Sequence, residues 1–228
     1  MLPFNLISDK PLESYSEEEL RSGVVFLIDK PLEWTSFQVV NKLRWVIKKI
    51  HNIKKIKVGH AGTLDPLATG LLIVCVGKKT KEIEVFQGKE KEYTGTILVG
   101  ATTPSFDLET EIDKTYSIDG ITASDLEKAA ESLTGDIDQY PPVFSAVKID
   151  GKRAYESARK GEKVEVKLRK VKVSKFDIDS SEFPKVHFRI VCSKGTYIRS
   201  IASDFGKALN SGAYLSSLRR ERIGQYSI

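Results

Sequence analysis

One loop-forming segment carries the residue types best suited to chemistry. Residues 59–70 read Gly-His-Ala-Gly-Thr-Leu-Asp-Pro-Leu-Ala-Thr-Gly, with Asp65 directly before Pro66. A residue before proline is biased toward extended or turn geometry, and nearby glycines let a backbone approach a ligand closely. A carboxylate held there is ionised at neutral pH and can act as a nucleophile or an anionic partner. Taken alone, Asp-Pro is more often a surface turn whose carboxylate accepts hydrogen bonds from its own loop.

Apolar patterns on both sides of this loop predict the elements that position it. Residues 24–28 and 71–76 are continuous apolar runs, each typical of a buried strand, and a further strand is predicted over 93–99. Between the first two, Thr35 and Gln38 form a capping box that opens a helix. The apolar stripe that follows has helical spacing and comprises Val40, Leu43, Ile47 and Ile50.

Later segments predict a second group of helices and strands. Ser124 and Glu127 form another capping box. Strict alternation over 164–176 and 186–192 predicts half-buried antiparallel strands, and helical spacing predicts a helix over 197–209. Strands in runs with interspersed helices predict an α+β fold with a central mixed, mostly antiparallel sheet flanked by helices and loops.

The charge distribution indicates a polyanionic partner. The chain has 228 residues, with 36 Lys and Arg against 31 Asp and Glu, a formal net charge of +5. Basic residues cluster over 42–57 and 148–175, whereas 105–136 is acidic. Such a basic side suits phosphate contacts, although basic runs are also common on solvated helix faces. Charge alone leaves nucleic-acid binding open.

Composition narrows the compartment and the chemistry. Cys75 and Cys192 lie in apolar surroundings without a C-x-x-C spacing, which predicts buried free thiols in a reducing compartment. Three histidines and two cysteines offer no recognisable zinc spacing, so we assign no metal. No targeting segment or membrane-spanning run is evident, so we expect a cytoplasmic protein with no membrane partner.

The loop resembles the catalytic motif of the TruB family of tRNA pseudouridine synthases, whose pattern is Gly-His-x-Gly-x-Leu-Asp-Pro-x-Ala-x-Gly-x-Leu. Residues 59–72 match it throughout. Four further stretches resemble family motifs in the same order along the chain: Asp29-Lys30-Pro31 with Trp34-Thr35-Ser36, Lys91-Glu92-Tyr93, residues 139–159, and residues 193–200 with Leu218-Arg219-Arg220.

The resemblance implies the pseudouridine synthase fold and the isomerisation of a uridine to pseudouridine. The family substrate is the tRNA T stem-loop (the TΨC arm), and the target is uridine-55. The N-glycosidic bond breaks, the base turns and rejoins through C5, and the composition does not change, so no cofactor or metal is needed. Because stacking shields the target uridine, the nucleotide must flip out of the RNA loop.

Site residues follow from the same resemblance. Asp65 matches the nucleophile, Arg199 the cation that keeps it ionised, and Tyr93 the aromatic that packs on the flipped base and serves as a general base. His60, Tyr197 and Leu218 match positions that line the pocket or fill the vacated stack. Lys30 belongs to the same set and looks structural, closing a strand near the site. Lys148 and Arg159, with the basic 42–57 stretch, are candidate RNA backbone contacts.

Two departures from the family pattern concern a loop and an accessory domain. Gly100 to Asp107 has proline and serine where the family has Asp-Thr, which weakens any inference about polar contacts from this loop. A C-terminal RNA-binding PUA domain is expected to be absent. We therefore expect an acidic leader over 1–22, a catalytic domain over 23–228 and a monomer.

Two other functions compete with this prediction. An aspartate-nucleophile hydrolase or phosphotransferase would need a metal-binding carboxylate cluster near Asp65, and the nearby acids lack such spacing. A non-catalytic RNA-binding module or RNA chaperone would not need Asp65, Tyr93 and Arg199 together. Incubation with uridine-labelled tRNA separates all three functions.

Overall fold

The computed structural model describes residues 2–145, 148–149, 152–153 and 166–228. In chain order its elements are β1 (Asn5–Ile7), α1 (Glu17–Ser22), β2 (Val24–Lys30), α2 (Ser36–Ile50), β3 (Val58–His60), β4 (Ala68–Val76), α3 (Ile83–Gly88), β5 (Lys91–Val99), β6 (Ala101–Thr102), β7 (Lys114–Thr115), α4 (Ala123–Ser132), β8 (Gly135–Gln139), β9 (Lys148–Ile149), β10 (Lys152–Arg153), β11 (Arg169–Glu182), β12 (Lys185–Cys192), α5 (Ile198–Ala208), β13 (Ala213–Ile223) and β14 (Tyr226–Ser227). Two compact units divide the chain, one formed by residues 1–92 with 219–228 and the other by 93–218.

The first unit is a sheet covered by α2. Its strand order is β1-β2-β4-β13, with β3 also paired to β4 and β14 to β13. The predicted strands over 24–28 and 71–76 are confirmed as parts of β2 and β4, which run antiparallel with Lys30 opposite Gly70. Because β4 packs on both faces, all its residues from Leu71 to Val76 are fully buried.

Helix α2 begins where the sequence predicts. Thr35 is the N-cap, and its side chain and that of Gln38 form the reciprocal capping box. Val40, Leu43 and Ile47 are buried, as predicted, but Ile50 is 39% exposed, so its place on the inner face was wrong. The helix ends at Ile50, beyond the part that packs against the core.

Residues 2–22, which belong to the predicted acidic leader, are folded into this unit. Strand β1 pairs with β2, and α1 begins at a capping box between Ser16 and Glu19. Leu12, Tyr15 and Leu20 are buried in the same core cluster as α2.

The second unit contains the long antiparallel strands. Its order is β13-β5-β12-β11-β8, and β11 pairs antiparallel with both β12 and β8. The predicted strands over 186–192 and 93–99 and the helix near 197–209 are confirmed. The strand predicted over 164–176 is confirmed only from Arg169, because residues 166–168 are not in a strand and 164–165 lie outside the described residues. Together with an isolated parallel bridge between Asp107 and Leu215, the sheets give the predicted α+β, mostly antiparallel architecture.

Helix α4 begins two residues before the predicted position. Its N-cap is Thr122, whose side chain pairs with Asp125, so the predicted Ser124 and Glu127 box was wrong. Both pairs have a hydroxyl followed three residues later by an acceptor side chain, and the extended backbone of Thr122 selects the earlier pair.

Both cysteines lie in the core, as their apolar neighbours in the sequence predict. Cys75 and Cys192 are buried thiols that form no disulfide, as predicted, and burial raises the pKa of the Cys75 thiol to about 11. Among the described residues, helices long and apolar enough to cross a bilayer are absent.

Gly70 provides a test of how tightly β4 approaches β13. Its φ is +99°, and a methyl group built on it would lie 2.7 Å from the backbone nitrogen of Arg220 and closer still to that residue's carbonyl oxygen. We expect Gly70→Ala to lower the free energy of unfolding by about 3 kcal/mol or more, from backbone strain plus the clash. Urea unfolding followed by circular dichroism measures it.

Gly135 is the matched control. Its φ is +98°, and a built methyl group meets nothing within 4 Å. Gly135→Ala should therefore cost only the conformational strain, about 1–2 kcal/mol. Equal losses for the two variants would show that the close approach at Gly70 is not a constraint.

Candidate active site

Asp65 lies in the loop that joins β3 to β4, as the sequence predicts. The residue is half-buried, and its carbonyl accepts a hydrogen bond from Ala68 N at 3.0 Å, which closes a turn over Pro66 and Leu67. At the start of the loop, Ala61 N donates to Ile73 O at 2.9 Å. Both ends of the loop are thus anchored to β4.

The residues on either side of Asp65 are tied to the segment that follows β2. Ser36 Oγ donates to Leu64 O at 3.1 Å and accepts from Leu64 N at 2.9 Å. Glu33 N donates to Pro66 O at 2.8 Å. Because these bonds restrain both neighbours of Asp65, the backbone that carries its carboxylate is fixed.

Lys30 is a buried cation beneath this loop. Its side chain has no exposed surface, and Nζ donates to the carbonyls of Trp34 (2.6 Å), Pro31 (2.9 Å) and Pro66 (3.3 Å). Burial lowers the pKa of Lys30 to about 8, the Asp65 carboxylate opposes this, and Arg220 lowers it further. These contacts support the structural interpretation of Lys30, as a residue that holds the Asp65 loop.

Arg220 is a site residue that sequence reasoning missed. Its guanidinium is almost fully buried, with Nε donating to Leu71 O at 2.7 Å and Nη2 to Gly62 O at 3.1 Å. It therefore holds the beginning of the loop, as Lys30 holds its end. The signal was present in the Leu218-Arg219-Arg220 motif, but the contacts connect residues about 150 positions apart and no local pattern reveals them.

The neighbouring Arg219 has a different role in the same unit. It forms two hydrogen bonds with the carboxylate of Asp29, both 2.9 Å, in the bidentate geometry that arginine favours. This pairing raises the pKa of Arg219. It joins the residue before Lys30 to the residue before Arg220, so the two loop-holding cations are positioned together.

His60 stands at the beginning of the loop, at the end of β3. Burial lowers the pKa of its imidazole, and the nearby Arg220 guanidinium lowers it further. Its Nδ1 is buried and has no hydrogen-bond partner among the described residues. The ring is therefore neutral near pH 7.

In the second unit, Arg199 is buried near the N-terminus of α5 and is not the exposed helix residue that its position alone suggests. Its side chain donates from Nη2 to Phe144 O at 2.9 Å and from Nη1 to Ser105 O at 3.2 Å. The Asp107 carboxylate lies 3.5 Å from Nη1 and is itself buried. Asp107 thus offsets the unfavourable position of a cation at a helix N-terminus.

The altered loop over 100–107 makes polar contacts with Arg199. Although proline and serine replace the family's Asp-Thr, the loop supplies Arg199 with the Ser105 carbonyl and the Asp107 carboxylate. Thr103 Oγ1 and Ser105 Oγ donate to the carbonyl of Asp107 at 2.7 and 3.2 Å, which fixes the loop around the ion pair.

The other predicted residues of this unit lie in β5, in β13 and at the start of α5. Gln139 bonds both the N–H (2.8 Å) and the carbonyl (3.1 Å) of Tyr197, the residue that caps α5. Tyr93 lies in β5 and is 9% exposed, and Leu218 is partly buried in β13.

Two predicted RNA contacts cannot be placed at side-chain level. Arg159 lies outside the described residues, and only the backbone of Lys148, in β9, is described. Within the described ranges, clusters of three or more His, Cys, Asp or Glu side chains able to hold a metal ion are absent.

A family model for the TruB family pseudouridylate synthase (N terminal domain) matches residues 48–198, about two thirds of the chain. The chain belongs to the TruB family. A relative from Flavobacterium johnsoniae, named tRNA pseudouridine synthase B, is 56% identical over 92% of this chain and 93% of its own length. Another of the same name, from Phocaeicola vulgatus, is 56% identical over 90% of this chain and 87% of its own.

Solved structures agree on the pseudouridine synthase fold. A chain from the crystal structure of a Cbf5-Nop10-Gar1 complex has a TM-score of 0.66 and 30% identity, with 96% of this TruB-family chain and 52% of that chain covered. A chain from the structure of an H/ACA RNP bound to a substrate RNA containing 2′-deoxyuridine has a TM-score of 0.63 and 25% identity. The present chain covers 59% of that second chain, and so spans just over half of each.

Lys30 gives the site a pH-dependent contribution to stability. Its pKa is about 8 in the folded protein and about 10.5 when unfolded. Below pH 8 Lys30 is protonated in both the folded and the unfolded protein, so the full free-energy cost of burying its charge opposes folding. Between pH 8 and 10.5 the unfolded state binds more protons, so this residue's contribution to stability rises with pH, by up to about 3 kcal/mol.

We therefore expect the free energy of unfolding of the wild type, relative to Lys30→Met, to rise between pH 8 and 10.5. Urea unfolding at several pH values measures the difference, and Lys194→Met, at an exposed position, is the control. Parallel pH profiles for the wild type and Lys30→Met would contradict the depressed pKa.

Proposed function

We propose that the protein is a tRNA pseudouridine synthase that isomerises uridine-55 in the T stem-loop of tRNA. The observation that carries this proposal is the 56% identity, over nearly the whole chain, to relatives named tRNA pseudouridine synthase B. The tRNA substrate also suits the basic side of the chain and a cytoplasmic location. We propose that the enzyme acts as a monomer.

Asp65 is the proposed nucleophile. Its half-buried carboxylate has restrained neighbours on both sides, and the buried cations Lys30 and Arg220 hold the same loop. A partly desolvated carboxylate would otherwise tend to protonate, and nearby positive charge favours its ionised form. The site would therefore provide an anion on a fixed backbone at neutral pH.

Tyr93, His60, Tyr197 and Leu218 are the proposed surroundings of the flipped uridine. The reaction moves the glycosidic bond from N1 to C5 of uracil, so C5 loses a proton and N1 gains one. A tyrosine hydroxyl beside the base is suited to take the C5 proton, and its ring replaces part of the lost stacking. The neutral imidazole of His60 adds no charge next to the uncharged base.

Replacing Asp65 by asparagine tests the proposed nucleophile. The amide has nearly the same shape but no negative charge, so Asp65→Asn should reduce turnover by more than about 10⁴-fold while the fold and RNA binding remain. Turnover is measured as tritium released from tRNA that carries 5-tritiated uridine. Asp119→Asn, at an exposed loop position, is the control.

The outcomes separate the competing functions. Turnover of Asp65→Asn within tenfold of wild type would contradict the assignment. RNA binding by the wild type without any tritium release would favour a non-catalytic RNA-binding protein, whereas release of free base or phosphate would favour a hydrolase or phosphotransferase.

We propose that catalysis requires both the positive charge and the planar shape of the Arg199 guanidinium. The guanidinium reaches two carbonyls and Asp107 at once, which a lysine ammonium cannot do from the same position. We expect Arg199→Ala to lower kcat by about a thousandfold and Arg199→Lys to recover little of it. Steady-state tritium release at saturating tRNA measures kcat for both variants, with Arg189→Lys at an exposed position of β12 as control.

Full activity of Arg199→Lys would show that only a positive charge is needed. Circular dichroism and thermal melting of both variants distinguish a lost catalytic contribution from unfolding of α5.

A further inference from the structure

The outer face of α2 carries an exposed tryptophan that the proposed mechanism does not use. Trp45 is 53% exposed, and Phe37, eight residues earlier on the same side of the helix, is 63% exposed. The opposite face of α2 is buried through Leu43 and Ile47. The exposed indole is therefore not required for packing the core.

Positive charge surrounds this indole. Lys42 Nζ lies 4.9 Å and Lys49 Nζ 5.0 Å from the ring centroid of Trp45. The sequence from Trp34 to Leu64 contains seven Lys and Arg and no Asp or Glu. A surface of this kind repels basic partners and complements a polyanion.

A basic cleft begins on the same helix. It has a volume of about 580 Å³ and is lined by Arg44, Lys48, Lys54, Lys55 and Lys57, and it extends to Gly59. Arg44 is held in place by bonds to Asn41 Oδ1 at 2.9 Å and Val58 O at 3.0 Å. Gly59 lies in β3, the strand that leads into the Asp65 loop, so an anionic strand bound in the cleft would reach the strand that precedes that loop.

We propose that this face of α2 binds an unpaired stretch of the substrate RNA, with one base stacked on Trp45 and the flanking phosphates bound by Lys42, Lys49 and the basic cleft. A flat aromatic ring between cations matches an unpaired nucleotide, which presents a π-face beside a negative phosphate. The two lysines leave the ring easily, since cation–π contacts at exposed sites are weak. That the bound RNA is the substrate rests on the proposed function.

Binding of a fluorescein-labelled oligouridine and of a labelled T stem-loop, measured by fluorescence polarisation, tests the proposal. We expect Trp45→Ala to weaken both by about tenfold and Trp45→Phe, which keeps a ring, by less than about threefold. Val85→Ala is the control, because Val85 is 63% exposed on α3 of the same unit. With tRNA, Trp45→Ala should raise KM by the same factor and leave kcat within about twofold.

The lysines are tested by salt dependence. Replacing both Lys42 and Lys49 by glutamine should reduce the slope of log affinity against log salt by about 1.4 for single-stranded RNA. Lys128→Gln, on α4 in the acidic 105–136 region, should leave the slope unchanged. This measurement decides the proposal even where Trp45→Ala fails to fold.

The outcomes are distinguishable from those that test the proposed function. If the wild type binds RNA through Trp45 but makes no pseudouridine, the proposed enzymatic function is contradicted and RNA binding by this face of α2 is supported. If the wild type makes pseudouridine and both Trp45→Ala and Lys42→Gln/Lys49→Gln behave like the controls, the proposal that this face of α2 binds RNA is contradicted. If Trp45→Ala abolishes a self-association of the protein without changing RNA binding, this face of α2 binds a second copy of the chain, and the RNA-binding proposal is likewise contradicted.

Discussion

The Asp65 loop depends on two buried cations that bind its backbone from opposite ends. Lys30 donates to the carbonyl of Pro66, and Arg220 donates to that of Gly62. Burying an ammonium and a guanidinium is unfavourable unless their donors are satisfied, and backbone carbonyls accept hydrogen bonds from both. The dependence is mutual, since the cations favour the ionised carboxylate and the carboxylate favours the charged form of Lys30.

The need to position these two cations explains why segments far apart in the sequence pack together around the Asp65 loop. Asp29 and Arg219 form a bidentate ion pair one residue before Lys30 and Arg220, respectively, so each loop-holding cation follows a member of the pair. Ser36 then binds both backbone groups of Leu64. Gly70 is required for the same reason, because the backbone of Arg220 passes too close to it for any side chain.

Local patterns were sufficient for most elements but not for the contacts that define the site. Apolar runs and a capping box placed β2, β4 and α2, because burial and capping are decided within a few residues. The same reasoning misplaced the start of α4, because Thr122 with Asp125 and Ser124 with Glu127 both have the spacing of a capping box. The Asp65 loop was identified by its resemblance to a family motif. The contacts of Arg220 with Gly62, and of Asp107 with Arg199, join distant segments, so neither could be predicted from spacing.

The first unit contains fully buried and exposed basic residues, and the difference in their solvation bears on function. Lys30 and Arg220 have lost their water, and their donors are committed to protein carbonyls, so they fix geometry and cannot respond to a ligand. Lys48, Lys49, Lys54, Lys55 and Lys57 are exposed and keep their hydration and mobility. Such residues gain most from a polyanion, because phosphate contacts release counterions without a prior cost of burial. Net charge alone does not distinguish these kinds, which is why the basic composition could indicate nucleic-acid binding without identifying the face that performs it.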